Sequence, residues 1–258
     1  MQFTIEYLEY IILVFIRIAS MMVTAPFFNS SNFPRLTEMG LSFFFSLAAV
    51  NMLDFTSLSY QGVVGYATLV LQEGITGAFI GMASGFCLYI LNFSGNMVDM
   101  EIGFSMAMEF DPATNVQSTI TANLFSQLFL VLFVISDMHY FIIDAVYDSY
   151  KLIPIGGADL KGNFISIAGT YITDYFVIGF RVILPIFSCI LLINVVLGIL
   201  AKVAPQMNMF VIGMQLKIFI GLFLLFMLMG YFPNVVDFIF VEMQKLTKLF
   251  VGQLAGQG

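Results

Sequence analysis

From Phe164 to Leu200 the sequence is almost continuously apolar, interrupted only by Asp174, Arg181, Pro185 and Asn194. About 20 apolar residues in helical conformation cross a bilayer, and backbone polar groups in hydrocarbon must be satisfied internally. A run of this length therefore demands helix and lipid together, and Pro185 predicts either one kinked helix or two pieces. The polar stretch Ala201–Lys217, AKVAPQMNMFVIGMQLK, and the apolar block Ile218–Phe232 complete a helical hairpin. Of the 258 residues 60% are hydrophobic and only 10% charged, and the mean hydropathy is +0.98. Soluble domains do not reach these values. The expected fold class is all-α: an integral membrane helical protein with kinked or broken helices and helical hairpins.

The first apolar run, Ile5–Ala25, is long enough to span, carries Arg17 inside it and ends at Pro26. Glu6 and Glu9 stand where a secretory signal would be positive, so this helix is expected to be retained. An arginine at that depth snorkels or takes a carboxylate, and Glu73 is the candidate acid. Asn29–Arg35, NSSNFPR, reads as a turn, and Met39–Leu53 is short for a span. Val63–Phe93 is too long for one simple crossing and contains Gly74, Gly77, Gly81 and Gly85. The GxxxG spacing of Gly77, Gly81 and Gly85 predicts close packing against another helix.

The segment Gly95–Gln117, GNMVDMEIGFSMAMEFDPATNVQ, sets Asp99, Glu101, Glu109 and Asp111 among methionines. Burying an isolated carboxylate is costly, so the segment lines a wet cavity or faces a partner. Drawn as a helix to Asp111, it places Met97, Met100, Phe104 and Met108 on one face and Ile102, Met106 and Phe110 on the other, with Gly103 as a flex point. Asp111-Pro112 then ends the helix and Ala113–Thr121 forms a polar turn. Soft methionines beside phenylalanine close a passage yet yield to different shapes; ordinary helix packing is the competing reading.

Beyond it, Ile120–Ile135 resumes as an apolar helix broken at Ser136–His139, where the single histidine reads as interfacial. Tyr147–Asn163 is expected to be the longest solvated loop, dividing the chain into 1–163 and 164–258. Pro233–Gly258 reads as an amphipathic helix with a disordered end, GQLAGQG. The net charge is −7, and ten acids but no Lys or Arg fall between Arg35 and Lys151. Nucleic acid is thereby excluded as a partner. Cys87 and Cys189 read as inert packing residues. No phosphate loop, HExxH or nucleophile elbow is present, so the common soluble-enzyme chemistries have no carrier and no enzyme activity, cofactor or metal is expected. Asp99 with Asp111 could be imagined as the acid pair of a membrane-embedded enzyme, although nothing in their spacing demands it.

Three separated stretches, RIASMMVTAPFF with FPR, NMVDMEIGFSMAMEFDP and LAKVAPQMNMFVIGMQLKIFIGL, resemble the FliR/SctT family of type III secretion export-gate proteins. The resemblance implies a subunit of the flagellar basal body in the bacterial inner membrane. It would assemble with the P and Q export-gate proteins, and meet the B export protein, in a closed channel for unfolded flagellar subunits, surrounded by membrane lipid. It also implies a P-like part over 1–163, a Q-like hairpin and tail over 164–258, and helices lifted out of the bilayer plane. The pore plug falls on Met106, Met108, Glu109, Phe110, Asp111 and Pro112, with Asp99 and Glu101 in the acidic insert. Lys202, Pro205, Gln206, Asn208 and Lys217 match the hinge and partner-contact motif. The family pattern leaves room for basic residues near the plug, and this chain has none there. The residues alone also suit a proton-coupled secondary transporter acting through Asp99, Glu101 and Arg17.

Overall fold

The computed structural model describes residues 5–27, 34–53, 55, 58, 60–104, 109–111, 116–158, 164–206 and 208–256. Among these lie nine helices: α1 (Ile5–Thr24), α2 (Arg35–Met52), α3 (Gly62–Ser84), α4 (Phe86–Ile102), α5 (Ile120–Ile135), α6 (Met138–Leu152), α7 (Phe164–Val203), α8 (Met209–Met229) and α9 (Phe232–Leu254). A small antiparallel ribbon, β1 (Glu109–Asp111) with β2 (Val116–Ser118), sits between α4 and α5. Four of the helices, α1, α3, α7 and α8, are long and apolar enough to cross a membrane. A fifth crossing is available if α5 and α6, bent by 72° at their junction, count together. The chain is thus an all-α integral membrane protein. The bend falls at the expected Ser136–His139 break, where Asp137 adopts a left-handed φ of 55°.

Two compact units are built from interleaved segments. The first comprises Met1–Phe86, Phe133–Ile172 and Val241–Gly258; the second comprises Cys87–Leu132 and Thr173–Phe240. Both cut across the sequence division at 163/164, and α5, α7 and α9 contribute residues to each.

In the first unit α1 packs against α2 and, most extensively, α3. The glycine ridge makes the second contact possible. A Cβ on Gly77 would run into the Arg17 carbonyl and the Ser20 hydroxyl, and one on Gly81 would lie against the Thr24 hydroxyl and 2.6 Å from the Met21 carbonyl. The GxxxG face is therefore occupied within the chain, by α1. Gly85 serves differently: its N–H bonds the Gly81 and Met82 carbonyls at the break between α3 and α4. The long apolar run Val63–Phe93 is in this way cut in two.

The second unit gathers around α4, whose Ile90, Leu91, Val98 and Ile102 are fully buried. Small residues again set the close approaches. Gly95 meets the Ala122 backbone of α5, Gly179 of α7 lies against the Phe93 ring, and Gly221 of α8 against Ile102. Ser94 Oγ donates to the Gly179 carbonyl at 3.1 Å. Helix α7 runs unbroken for 40 residues through Pro185, one helix rather than two pieces. At 1.5 Å per residue it is roughly 60 Å long, about twice the thickness of bilayer hydrocarbon.

Three expectations are corrected. The helix drawn through Asp111 stops at Ile102, because Gly103 takes a φ of 99° that a helix cannot continue, and its N–H caps the Asp99 carbonyl at 3.0 Å. The Tyr147–Asn163 loop is not wholly solvated: α6 extends to Leu152 and Ile153 is fully buried. The C-terminal GQLAGQG is helical to Leu254, which is fully buried and anchors the last turn. On α9 Val236, Ile239, Met243, Leu246 and Phe250 form the buried stripe, as the amphipathic reading requires.

Candidate functional site

The insert between α4 and α5 is rooted on one polar clasp. Helix α4 brings Asn96 and Asp99 onto the same face, three residues apart, and α5 begins opposite them with Thr119 and Thr121. Asp99, with no exposed surface, accepts the Thr121 N–H at Oδ2 (2.7 Å) and the Thr121 hydroxyl at Oδ1. The Thr119 hydroxyl donates to Asn96 Oδ1 at 2.9 Å, while its carbonyl accepts the Asn123 N–H and opens α5. The first turn of a helix leaves N–H groups without intrahelical partners and carries partial positive charge, so a carboxylate is well placed there. Here the capping acid comes from a different helix. Gly95 makes the geometry possible, since any Cβ would collide with the Ala122 backbone.

Above this root the insert folds back on itself. Glu109 pairs with Ser118, Phe110 with Gln117 and Asp111 with Val116. The expected plug residues Glu109, Phe110 and Asp111 therefore make up β1, not a helix face; Met106, Met108 and Pro112 lie outside the described residues. Glu101 is half-buried on the last turn of α4. Asp99 and Glu101 are close in sequence but differ in setting: the first is wholly enclosed and the second partly open.

A second buried polar centre lies in the first unit. Arg17 Nε donates to Glu73 Oε2 at 2.6 Å and Nη2 to Oε1 at 3.1 Å. The guanidinium also reaches the Ser149 hydroxyl and the Ile153 carbonyl, each at 3.2 Å, and sits 4.2 Å from the centre of the Tyr150 ring. Glu73 Oε1 in turn accepts the Gly156 N–H at 2.8 Å. One ion pair thus ties α1 and α3 to the end of α6 and the turn after it. Five donors in a planar fork suit arginine to this task.

The hinge residues expected between α7 and α8 occupy a shorter link than the sequence suggested. Lys202 lies in the last turn of α7, Pro205, Gln206 and Asn208 are exposed, and Asn208 Oδ1 caps α8 by accepting the Val211 N–H at 3.5 Å. Lys217 is half-buried two turns into α8. Among the described residues no group of three or more His, Cys, Asp or Glu side chains could hold a metal ion. Sequence reasoning missed Asn96, Thr119 and Thr121 as partners of Asp99, and Ser149, Tyr150 and Gly156 around the ion pair. The Thr119-Ile120-Thr121 triplet before an apolar run is an N-terminal signal that marks α5, though not its capping acid.

Known proteins share this sequence over most of its length. The chain is similar to the flagellar biosynthetic protein FliR of Bacillus subtilis, at 29% identity over 89% of each chain. It is similar to the FliR of Escherichia coli at 27% over 93% of this chain and 91% of the relative. The Aquifex aeolicus FliR is 23% identical over 95% of both chains. Residues 8–243 match the family described as bacterial export proteins, family 1. With nearly its whole length matched, the chain belongs to that family, in which the FliR proteins are its relatives.

Proposed function

We propose that this chain is an export-gate subunit of the flagellar type III secretion system, set in the bacterial inner membrane at the base of the flagellum. It assembles with the P and Q export-gate proteins around a closed channel for unfolded flagellar subunits, with the B export protein as a further neighbour. Residues 1–163 act as the P-like part and 164–258 as the Q-like hairpin and tail. The segment from Gly103 to Thr119 is the seal: Met106, Met108, Glu109, Phe110, Asp111 and Pro112 fill the passage, and Glu101 keeps its edge wet. No chemical reaction is assigned to it.

The observation that carries this reading is the form of the insert. A ribbon of two short strands is joined to a root where hydrogen bonds tie the end of α4 to the start of α5, so its base is fixed. A plug needs a fixed base. The exposed link of Pro205, Gln206 and Asn208 suits contact with neighbouring gate proteins. The transporter reading gains nothing here, because Asp99 and Arg17 are enclosed and engaged with protein groups. The test is recovery in mild detergent: the chain should copurify with the P and Q proteins, and its isolation alone from cells expressing all three would contradict the assignment.

A further inference from the structure

We infer that α7 crosses the bilayer over Val182–Ala201, with the Arg181 guanidinium held by the phosphate of an anionic phospholipid at one surface and Lys202 marking the other. Thr173–Phe180 then lie in the headgroup layer and beyond it. The inference needs only the membrane character of the chain, and it holds whether or not the chain is an export-gate subunit.

The charges of the hairpin set the bracket. From Tyr175 to Val236 the only charged residues are Arg181, Lys202 and Lys217, all basic, in a chain whose net charge is −7. Among the described residues none of the three is in an ion pair, and Arg181 and Lys202 are exposed while Lys217 is half-buried. Between Arg181 and Lys202 stand 20 residues without a charge. In helical form they measure about 30 Å, the thickness of bilayer hydrocarbon. An exposed guanidinium is costly in hydrocarbon, and its planar fork matches phosphate oxygens at the surface. A protein carboxylate would satisfy Arg181 as well, but it would impose no such spacing between the two bases.

The rest of the hairpin fits the same frame. Between the two bases Leu184, Leu191, Leu192, Val195 and Ile199 are each 48% to 65% exposed, a surface made for acyl chains. Before Arg181 the composition turns polar at Thr173, Asp174 and Tyr175, so α7 outlasts the hydrocarbon on that side. On α8, Gly213 lies against Leu197, where a Cβ would come to 3.1 Å from Leu197 Cδ1. Sixteen residues from that contact, back along α7 and forward along α8, stand Arg181 and Met229. Tyr231, 64% exposed, therefore joins Arg181 at one surface, the level at which the amphipathic tyrosine ring is favoured.

The chain contains no tryptophan, so a single introduced one reports its own surroundings. The full chain carrying Phe176→Trp, Phe180→Trp or Leu191→Trp, all at exposed positions, is placed in vesicles of phosphatidylcholine and phosphatidylglycerol. At the Phe180→Trp reporter brominated phosphatidylglycerol is expected to quench with a roughly fivefold preference over brominated phosphatidylcholine, the ratio for one basic side chain at an anionic surface. Adding Arg181→Gln should remove the preference, and Arg181→Lys should keep it. Emission should be bluest for Leu191→Trp and red-shifted for Phe176→Trp. A preference unchanged by Arg181→Gln, or Phe176→Trp emission as blue as that of Leu191→Trp, would overturn the inference. Absence of any preference at Phe180→Trp refutes the lipid site, and if Arg181→Gln then lowers recovery with the P and Q proteins, a protein carboxylate takes its place. Failure of the unsubstituted chain to copurify with those proteins counts against the export-gate reading alone.

Discussion

Arg17 and Glu73, separated by 56 positions in sequence, meet through two hydrogen bonds at 2.6 and 3.1 Å where neither side chain has any exposed surface. Removing one partner leaves the other charge enclosed without compensation, at a cost of about 3–5 kcal/mol, whereas removing both costs much less. Arg17→Met and Glu73→Gln are each expected to lower the unfolding temperature in detergent more than the double variant does. Additive losses would show that the two side chains act independently.

The glycine ridge leads to a contrast between positions of similar sequence context. Gly77→Ala and Gly81→Leu force α1 and α3 apart against the Arg17 and Met21 carbonyls, with destabilisation of about 1–3 kcal/mol for overpacking. Gly40→Ala in α2 and Gly169→Ala in α7, where nothing lies within 4 Å, should be neutral or stabilising by up to ~1 kcal/mol. Size-exclusion profiles and thermal unfolding of the purified chain distinguish the two groups. Since the ridge is occupied by α1, the Gly81 defect should appear in the chain before any partner is added.

Leu254 is fully buried whereas Leu249, on the same helix, is 53% exposed. Leu254→Ala is expected to cost about 2–5 kcal/mol and Leu249→Ala far less. Equal effects in chemical unfolding would mean that the C-terminal turn does not dock as described.

Tyr60, in the link before α3, donates its hydroxyl to Glu9 Oε2 at 2.6 Å. That hydrogen bond, reinforced by burial and by the carboxylate's charge, holds the phenol above its ordinary value. The folded state therefore keeps the proton longer than the unfolded chain does. The stabilisation is complete below pH about 10 and is lost as pH rises through the folded value. Tyr60→Phe should flatten this alkaline decline in unfolding temperature, and an unchanged profile would count against the contact.

Much of this architecture is legible in the residues because hydropathy and helix breakers act locally. The apolar runs, the Ser136–His139 break and the glycine spacing each mark a feature that the chain forms. What sequence did not reveal depends on contacts between distant positions. The Met and Phe pattern of 97–110 suits a helix, but the glycine conformation at 103 ends it at Ile102, and Glu109–Asp111 pair with Val116–Ser118 as a ribbon. The acids drew attention as isolated charges, yet Asp99 is held by a threonine 22 positions away that no local pattern links to it. Likewise the turn after α6 looks solvated by composition, while its Ile153 carbonyl and Gly156 N–H are drawn inward by Arg17 and Glu73.

The central claim is that the insert seals a passage. The most direct measurement is the small-ion conductance of the gate reconstituted with its P and Q partners, compared with the same gate lacking Phe110–Gln117. The wild-type gate should be silent at rest and the deleted gate should conduct steadily with its subunits still assembled. Equal, low conductance from both at the same recovery of complex would contradict the claim.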